Sequence, residues 1–186
     1  MPIRVLVIGA GAAGLTAAIF AARAGAETVL LERTRDGGRK ILISGGGRCN
    51  VLPIALDESR FVTDSSPNIL RKMLRSWPLA QQVRFFEEDL GIPLVEEHES
   101  GKRFPASHKA RDVRDGLVAH ARAQGVDIRF DARVTSLDAV ADGWQVGVDD
   151  GNPIAADRVI VATGGLSVPN TGSDGTGLRL LEALGH

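Results

Sequence analysis

An α/β fold built on a parallel sheet is predicted by three features of this sequence. Ile3 to Ile8 is a nearly continuous apolar run rich in β-branched residues, the pattern of a strand buried on both faces. Gly9-Ala10-Gly11-Ala12-Ala13-Gly14 follows at once, so a tight glycine turn leads from strand into helix. A second apolar run from Thr28 to Glu32 completes a βαβ unit of about 30 residues.

The elements follow in chain order. Leu15 to Ala24 reads as a helix stopped by Gly25, and its many alanines let it lie close on a sheet. Residues 33 to 52 show no period and are expected to be one long loop, which in a compact domain is usually functional. Asn68 to Trp77 and Leu79 to Leu90 read as two short helices separated by Pro78. Pro93 to Pro105 is either two short strands or a loop. Lys109 to Gln124 is an amphipathic helix closed by Gly125.

The period then changes from helical to alternating. Asp127 to Phe130, Val134 to Val140, Trp144 to Val148 and Ile154-Ala155 read as strands, with turns at Asp142-Gly143 and Asp150-Gly151. A three-stranded meander between 132 and 156 is therefore expected. Arg158 to Ala162 is a further buried strand, and a helix from Leu178 to Leu184 ends the chain.

Composition narrows the function classes. The chain has 186 residues and a net charge of −1, so bulk charge offers no surface for nucleic acid or an anionic membrane. A chain this long buries roughly 70% of its unfolded surface and needs no metal or disulfide staple. Cys49 is the single cysteine, which excludes an intrachain disulfide and makes a reducing cytoplasm the expected compartment. The apolar start is too short for a signal region, and no transmembrane run occurs. The four histidines have no metal-ligand spacing, and no metal is expected.

The glycine motif is weak alone but strong in this context. It lies between strand and helix, and an acid, Glu32, follows at the end of the second strand. Gly9 allows the turn, Gly11 lets a diphosphate approach the backbone, and Gly14 lets helix and strand pack closely. The helix N-terminus carries roughly +0.5 of dipole charge for phosphates. Glu32 suits ribose hydroxyls and would repel a 2′-phosphate. The alternative is a tight turn without a ligand.

Two further stretches point to a two-dinucleotide flavoprotein fold. Asp157 to Gly165 is a strand ending in Ala-Thr-Gly-Gly after the meander, whereas a plain NAD dehydrogenase would place more βα units there. In that organisation the Val134 backbone meets the adenine edge. The second stretch holds Arg33, Arg35, Arg39, Lys40 and Arg48 against one acid within it, Asp36, and includes the three glycines 45 to 47. Such a loop suits a diphosphate or an anionic flavin; the alternative is a surface loop with solvated charges. Cys49 reads as a small residue packed beside a cofactor rather than a nucleophile. Gly172-Ser173-Asp174-Gly175-Thr176-Gly177 either caps the last helix through Ser173 or Asp174, or places backbone N–H groups near a ligand.

GAGAAG (9–14), GRKILISGGGRCNV (38–51), GKRFPASHKARDV (101–113), DRVIVATGG (157–165) and PNTGSDGTG (169–177) together resemble a known family. It is that of bacterial NAD(P)/FAD-dependent oxidoreductases of the YhiN/BaiN type, also described as aminoacetone oxidases or 3-dehydro-bile-acid Δ4,6-reductases. The resemblance implies FAD as cofactor, with NAD(P)H as a possible electron donor and a small-molecule substrate. By the resemblance, Gly9, Gly11, Ala13, Gly14 and Glu32 hold the ADP half of FAD, with Arg33 beside them. Arg39, Lys40, Ser44, Gly46, Gly47, Arg48, Cys49 and Asn50 run along the diphosphate and flavin. Val134 contacts adenine and Gly164 lies near the flavin cleft. Relatives of this type are about twice as long, so residues 1–186 are expected to be the N-terminal part of an FAD-binding domain, incomplete at its C-terminus. The alternatives are an NAD-dependent dehydrogenase and a non-catalytic FAD- or ADP-binding fragment.

Overall fold

The computed structural model describes residues 2–149 and 151–186, so position 150 of the expected turn lies outside it. Two compact units form: Met1–Leu42 with Leu117–His186, and Ile43–Gly116. The chain leaves the first unit within one helix and returns to it within another.

The first unit is built on a parallel sheet. Its strands are β1 (Arg4–Ile8), β2 (Glu27–Leu31), β6 (Asp127–Arg129) and β10 (Arg158–Val161), in the order β10-β1-β2-β6. Helix α1 (Ala12–Arg23) connects β1 to β2. Side chains alternate along a strand. Leu6, Ile8, Val29 and Leu31 therefore share one face, where they form a core with the meander residues Val134, Leu137, Val146 and Ala156. The meander is β7 (Val134–Val140), β8 (Gly143–Val148) and β9 (Ile154–Ala156), antiparallel throughout and covering the expected span. Leu180 of helix α6 (Thr176–Ala183) joins the same core.

The second unit is smaller. A three-stranded antiparallel sheet runs β3 (Leu52–Pro53), β5 (Lys102–Pro105), β4 (Leu94–Glu97) in spatial order. Helices α3 (Pro67–Ser76) and α4 (Leu79–Arg84) belong to it. Helix α2 (Arg39–Ile43) leads into it, and α5 (Ala110–Ala123) leads out. Buried Phe85 meets Trp77 edge-on, with ring centroids 5.5 Å apart.

Three local expectations are corrected. Helix α1 begins at Ala12, inside the glycine motif, because the Gly11 carbonyl already accepts the Leu15 N–H at 2.9 Å. Residues 33 to 52 are not one loop, since they hold α2, a 3₁₀ turn at Ser44–Gly47 and β3, each too short to show a period. The helix expected to run from 79 to 90 changes at Phe85 into a π turn, Phe85–Asp89, in which the Leu90 N–H reaches back to the Phe85 carbonyl at 3.0 Å. The strand expected near 127 forms as β6 and pairs in parallel with β2.

Candidate functional site

The turn between β1 and α1 is held by bonds to both sides of Ala10. The Glu32 Oε2 accepts the Ala10 N–H at 2.8 Å, and the Ala10 carbonyl accepts the Gly38 N–H at 2.8 Å. Glu32 Oε1 accepts from the Thr34 N–H at 2.8 Å and from its hydroxyl at 2.7 Å. Both carboxylate oxygens are thus anchored, and the acid is fixed beside the turn.

The three motif glycines have different reasons to be glycine. Gly9 has φ +104°, and a Cβ there would lie 2.8 Å from the Ala162 carbonyl oxygen. A Cβ on Gly14 would overlap the Gly9 carbonyl oxygen. Packing therefore dictates both. Gly11 is different: its backbone is extended, and a Cβ would meet no other atom within 4 Å. Among the described residues nothing demands glycine at that position. Gly11 is also the N-cap of α1, no side chain caps the helix there, and no acid stands in its first turn. The first N–H groups of α1 remain electropositive. An uncapped helix start behind a glycine that the chain itself does not need fits a phosphate group.

Beside this turn lies a cleft of about 450 Å³, its open mouth included. Four sequence-predicted residues line it: Gly9, Glu32, Arg33 and Val134. Val134 opens β7, and the strand register shifts between it and Ser136. The 172–176 loop closes another side through Gly172, Asp174 and Thr176.

In the same loop Gly175 is the N-cap of α6, and Asp174, one residue earlier, holds the first turn. Its carboxylate accepts the Thr176 N–H at 3.1 Å and the Thr176 hydroxyl at 2.7 Å, and it pairs with Arg33 Nη1 at 2.5 Å. The Thr176 hydroxyl and the Arg33 guanidinium hold the Asp174 carboxyl far below the usual range. Ser173 makes a different bond: its hydroxyl lies 2.8 Å from Lys40 Nζ, which also donates to Ser167 at 3.0 Å. Gly164, with φ +74°, makes room for this, since a Cβ there would lie 2.9 Å from Ser173 Oγ. Lys40 and Gly164 therefore meet around Ser173.

The cationic stretch is less one-sided than its sequence implies. Asp36 pairs with Arg39 at 3.0 Å, and two distant acids are added. Asp174 takes Arg33, and within the second unit Glu97 takes Arg48 at 2.7 Å. Arg48 also stands over the Phe104 ring, 4.2 Å from its centroid. Arg35 is exposed and pairs with no acid among the described residues.

Ser44, Gly46, Gly47, Arg48, Cys49 and Asn50 all belong to the second unit. Gly45, Gly46 and Gly47 have positive φ, as does Cys49 at φ 66°. The glycines therefore coil into a left-handed turn. A Cβ on Gly45 would lie 2.8 Å from the Phe104 ring. The Cys49 thiol is buried, and burial pushes its pKa up against a weaker opposing bond from Ser44. That is the chemistry of an inert packed thiol. No group of His, Cys, Asp and Glu among the described residues could hold a metal. No helix among them is long and apolar enough to cross a membrane.

The sequence reading missed Thr163, Ala132 and Arg133, which also line the cleft. Asp174 was singled out only as a cap.

The sequence profile described as "HI0933-like protein Rossmann domain" matches residues 3–186. A 3-dehydro-bile acid Δ(4,6)-reductase of Clostridium scindens is 36% identical over 185 residues, 98% of this chain and 44% of that protein. A ribosomal RNA dihydrouridine synthase of Escherichia coli is 29% identical, over 97% of this chain and 44% of its own length. This chain thus spans less than half of either relative. Among solved structures, a 3-ketosteroid-Δ4-(5α)-dehydrogenase from Rhodococcus jostii superposes on 99% of this chain and 54% of its own. Its TM-score is 0.69 at 19% identity, a likeness of fold.

Proposed function

This chain belongs to the family of HI0933-like protein Rossmann domains, and we propose that it is the part of an FAD-dependent oxidoreductase that holds the ADP moiety of FAD. One observation carries the reading. Gly11 is a glycine that the fold does not require, at an uncapped helix start, next to an acid anchored by the same turn.

Each residue then has a task. The α1 N-terminus and Gly11 receive the diphosphate. Glu32 accepts from ribose hydroxyls with the lone pairs that Ala10 and Thr34 leave over. Val134 meets the adenine. Lys40, with two hydroxyl partners and no acid partner among the described residues, is the cation of this unit best suited to an anionic part of the cofactor. Ser44, Gly46, Gly47, Arg48, Cys49 and Asn50 serve as backbone and packing elements of the flavin-side loop, since Arg48 is committed to Glu97 and Phe104. FAD, when bound, supplies the two-electron chemistry. The chain's own contribution is binding, orientation and charge.

Residues 1–186 are on this reading the N-terminal part of the FAD-binding domain, and the enzyme is cytoplasmic. NAD(P)H is the electron donor that the test below examines first. The substrate is a small molecule, a view supported by the near-neutral charge of −1. The names of the relatives divide between a bile-acid reductase and an RNA-modifying enzyme. RNA binding that weakens steeply with salt would overturn the small-molecule view.

The test is purification of the chain and of a version extended to its relatives' length. Flavin absorbance and anaerobic bleaching by NAD(P)H support the proposal. A colourless extended protein that binds only NAD would leave an NAD-dependent dehydrogenase. Flavin binding by the extended form with no reduction by any donor would leave a non-catalytic binding module.

A further inference from the structure

We propose that Asp174 sets the nucleotide specificity of the cleft by neutralising Arg33, so that a 2′-phosphorylated adenosine is rejected. The inference rests on the reading of this cleft as an ADP site. Dinucleotide sites distinguish ribose from ribose 2′-phosphate near the end of the second strand, where an acid binds the 2′-hydroxyl or an arginine accommodates the phosphate. This chain carries both, side by side, in Glu32 and Arg33.

The contest between them is decided by a residue far away in the chain. Arg33 Nη1 meets Asp174 at 2.5 Å across 141 positions, and both side chains line the cleft. The arginine side chain runs along Gly172, where a Cβ would lie 3.7 Å from Nε. Asp174 does not follow Arg33 as a loose partner. Its other oxygen is tied to the Thr176 N–H and hydroxyl, so the carboxylate is oriented before the guanidinium arrives. Those bonds and Arg33 also keep it ionised at any pH near neutral.

Glu32, Asp174, Arg33 and Arg133 all line the cleft, so its formal charges balance, and Arg33 is the cation already paired with a carboxylate. A 2′-hydroxyl can donate to Glu32. A 2′-phosphate finds Arg33 already claimed by Asp174, whereas a free Arg33 would offer it a second cation beside Arg133. Asp174 acts through Arg33 and is a positioning residue. Arg133 also lines the cleft and stays constant in every variant below.

The experiment is calorimetric titration of the 186-residue chain with ADP-ribose and with 2′-phospho-ADP-ribose, which differ by one phosphate. The wild type is expected to prefer ADP-ribose. Asp174→Asn frees Arg33 and should shift the affinity ratio toward the 2′-phosphate by roughly tenfold. The double variant Asp174→Asn/Arg33→Gln should lose that shift, and Asp174→Glu should keep the wild-type ratio. An Asp174→Asn variant that weakens both ligands equally would overturn the proposal, as would a double variant that keeps the shift. If Asp174→Asn fails to fold, Arg33→Gln decides. It leaves Asp174 uncompensated and should strengthen rejection, and an unchanged or weaker rejection overturns the idea. Wild-type protein that binds neither ligand would overturn the ADP-site reading and this proposal with it. Binding without a change of ratio overturns this proposal alone.

Discussion

The Glu32 carboxylate accepts the Ala10 N–H at 2.8 Å, so the acid at the end of β2 holds the turn at the end of β1. Ala10 is fully buried, and its N–H has no water to turn to. Glu32→Ala should therefore cost about 2 kcal/mol of stability, the usual penalty for an orphaned buried donor. It should weaken ADP binding at least tenfold as well. Chemical denaturation and titration calorimetry on the same variant check both effects.

Gly11 and Gly14 should respond oppositely to the same change. Gly14→Ala forces a methyl into the Gly9 carbonyl and should cost roughly 3 kcal/mol or more. Gly11→Ala meets no other atom and should leave the melting temperature nearly unchanged. Its methyl would stand where the diphosphate approaches, so ADP affinity should fall. Melting curves and binding isotherms of the two variants separate packing from ligand approach.

Asp174 has a folded-state pKa depressed by Thr176 and Arg33. Its contribution to stability is present above the unfolded carboxylate value, about 3.9. It is lost as pH falls below that value toward the lower folded one. The stability gap between wild type and Asp174→Asn should hold steady from pH 7 to about 5 and close only below about pH 4. Urea denaturation across that range checks it.

Cys49 is buried with a raised pKa, so its thiolate is scarce near neutral pH. A thiol reagent should label the folded chain slowly at pH 7.5 and rapidly once urea unfolds it. Fast labelling of the folded chain would return Cys49 to the list of reactive groups.

The parts of this fold legible in sequence are those whose signal is local. The glycine motif, Glu32 and the meander are read from short windows with clear periods, and the structure places them accordingly. What escaped depends on distance or on missing length. Arg33 and Asp174 carry no sequence sign that they will pair, nor do Arg48 and Glu97, so the cationic stretch read as more positive than it is. The π turn at Phe85 adds one residue to a helical turn without changing which residues are apolar. The segment 39–43 is too short for any period. General geometry assigns separate roles to the motif glycines, but only the positions of neighbouring atoms distinguish Gly11 from Gly14.

The most direct test of the ADP site is a titration of isotope-labelled chain with ADP, followed by amide NMR. The proposal predicts the largest shifts at Gly11, Ala12 and Ala13, with Glu32, Arg33 and Val134 moving along the same binding curve. Unshifted amides at 9–14, with ADP bound elsewhere or not at all, would contradict it.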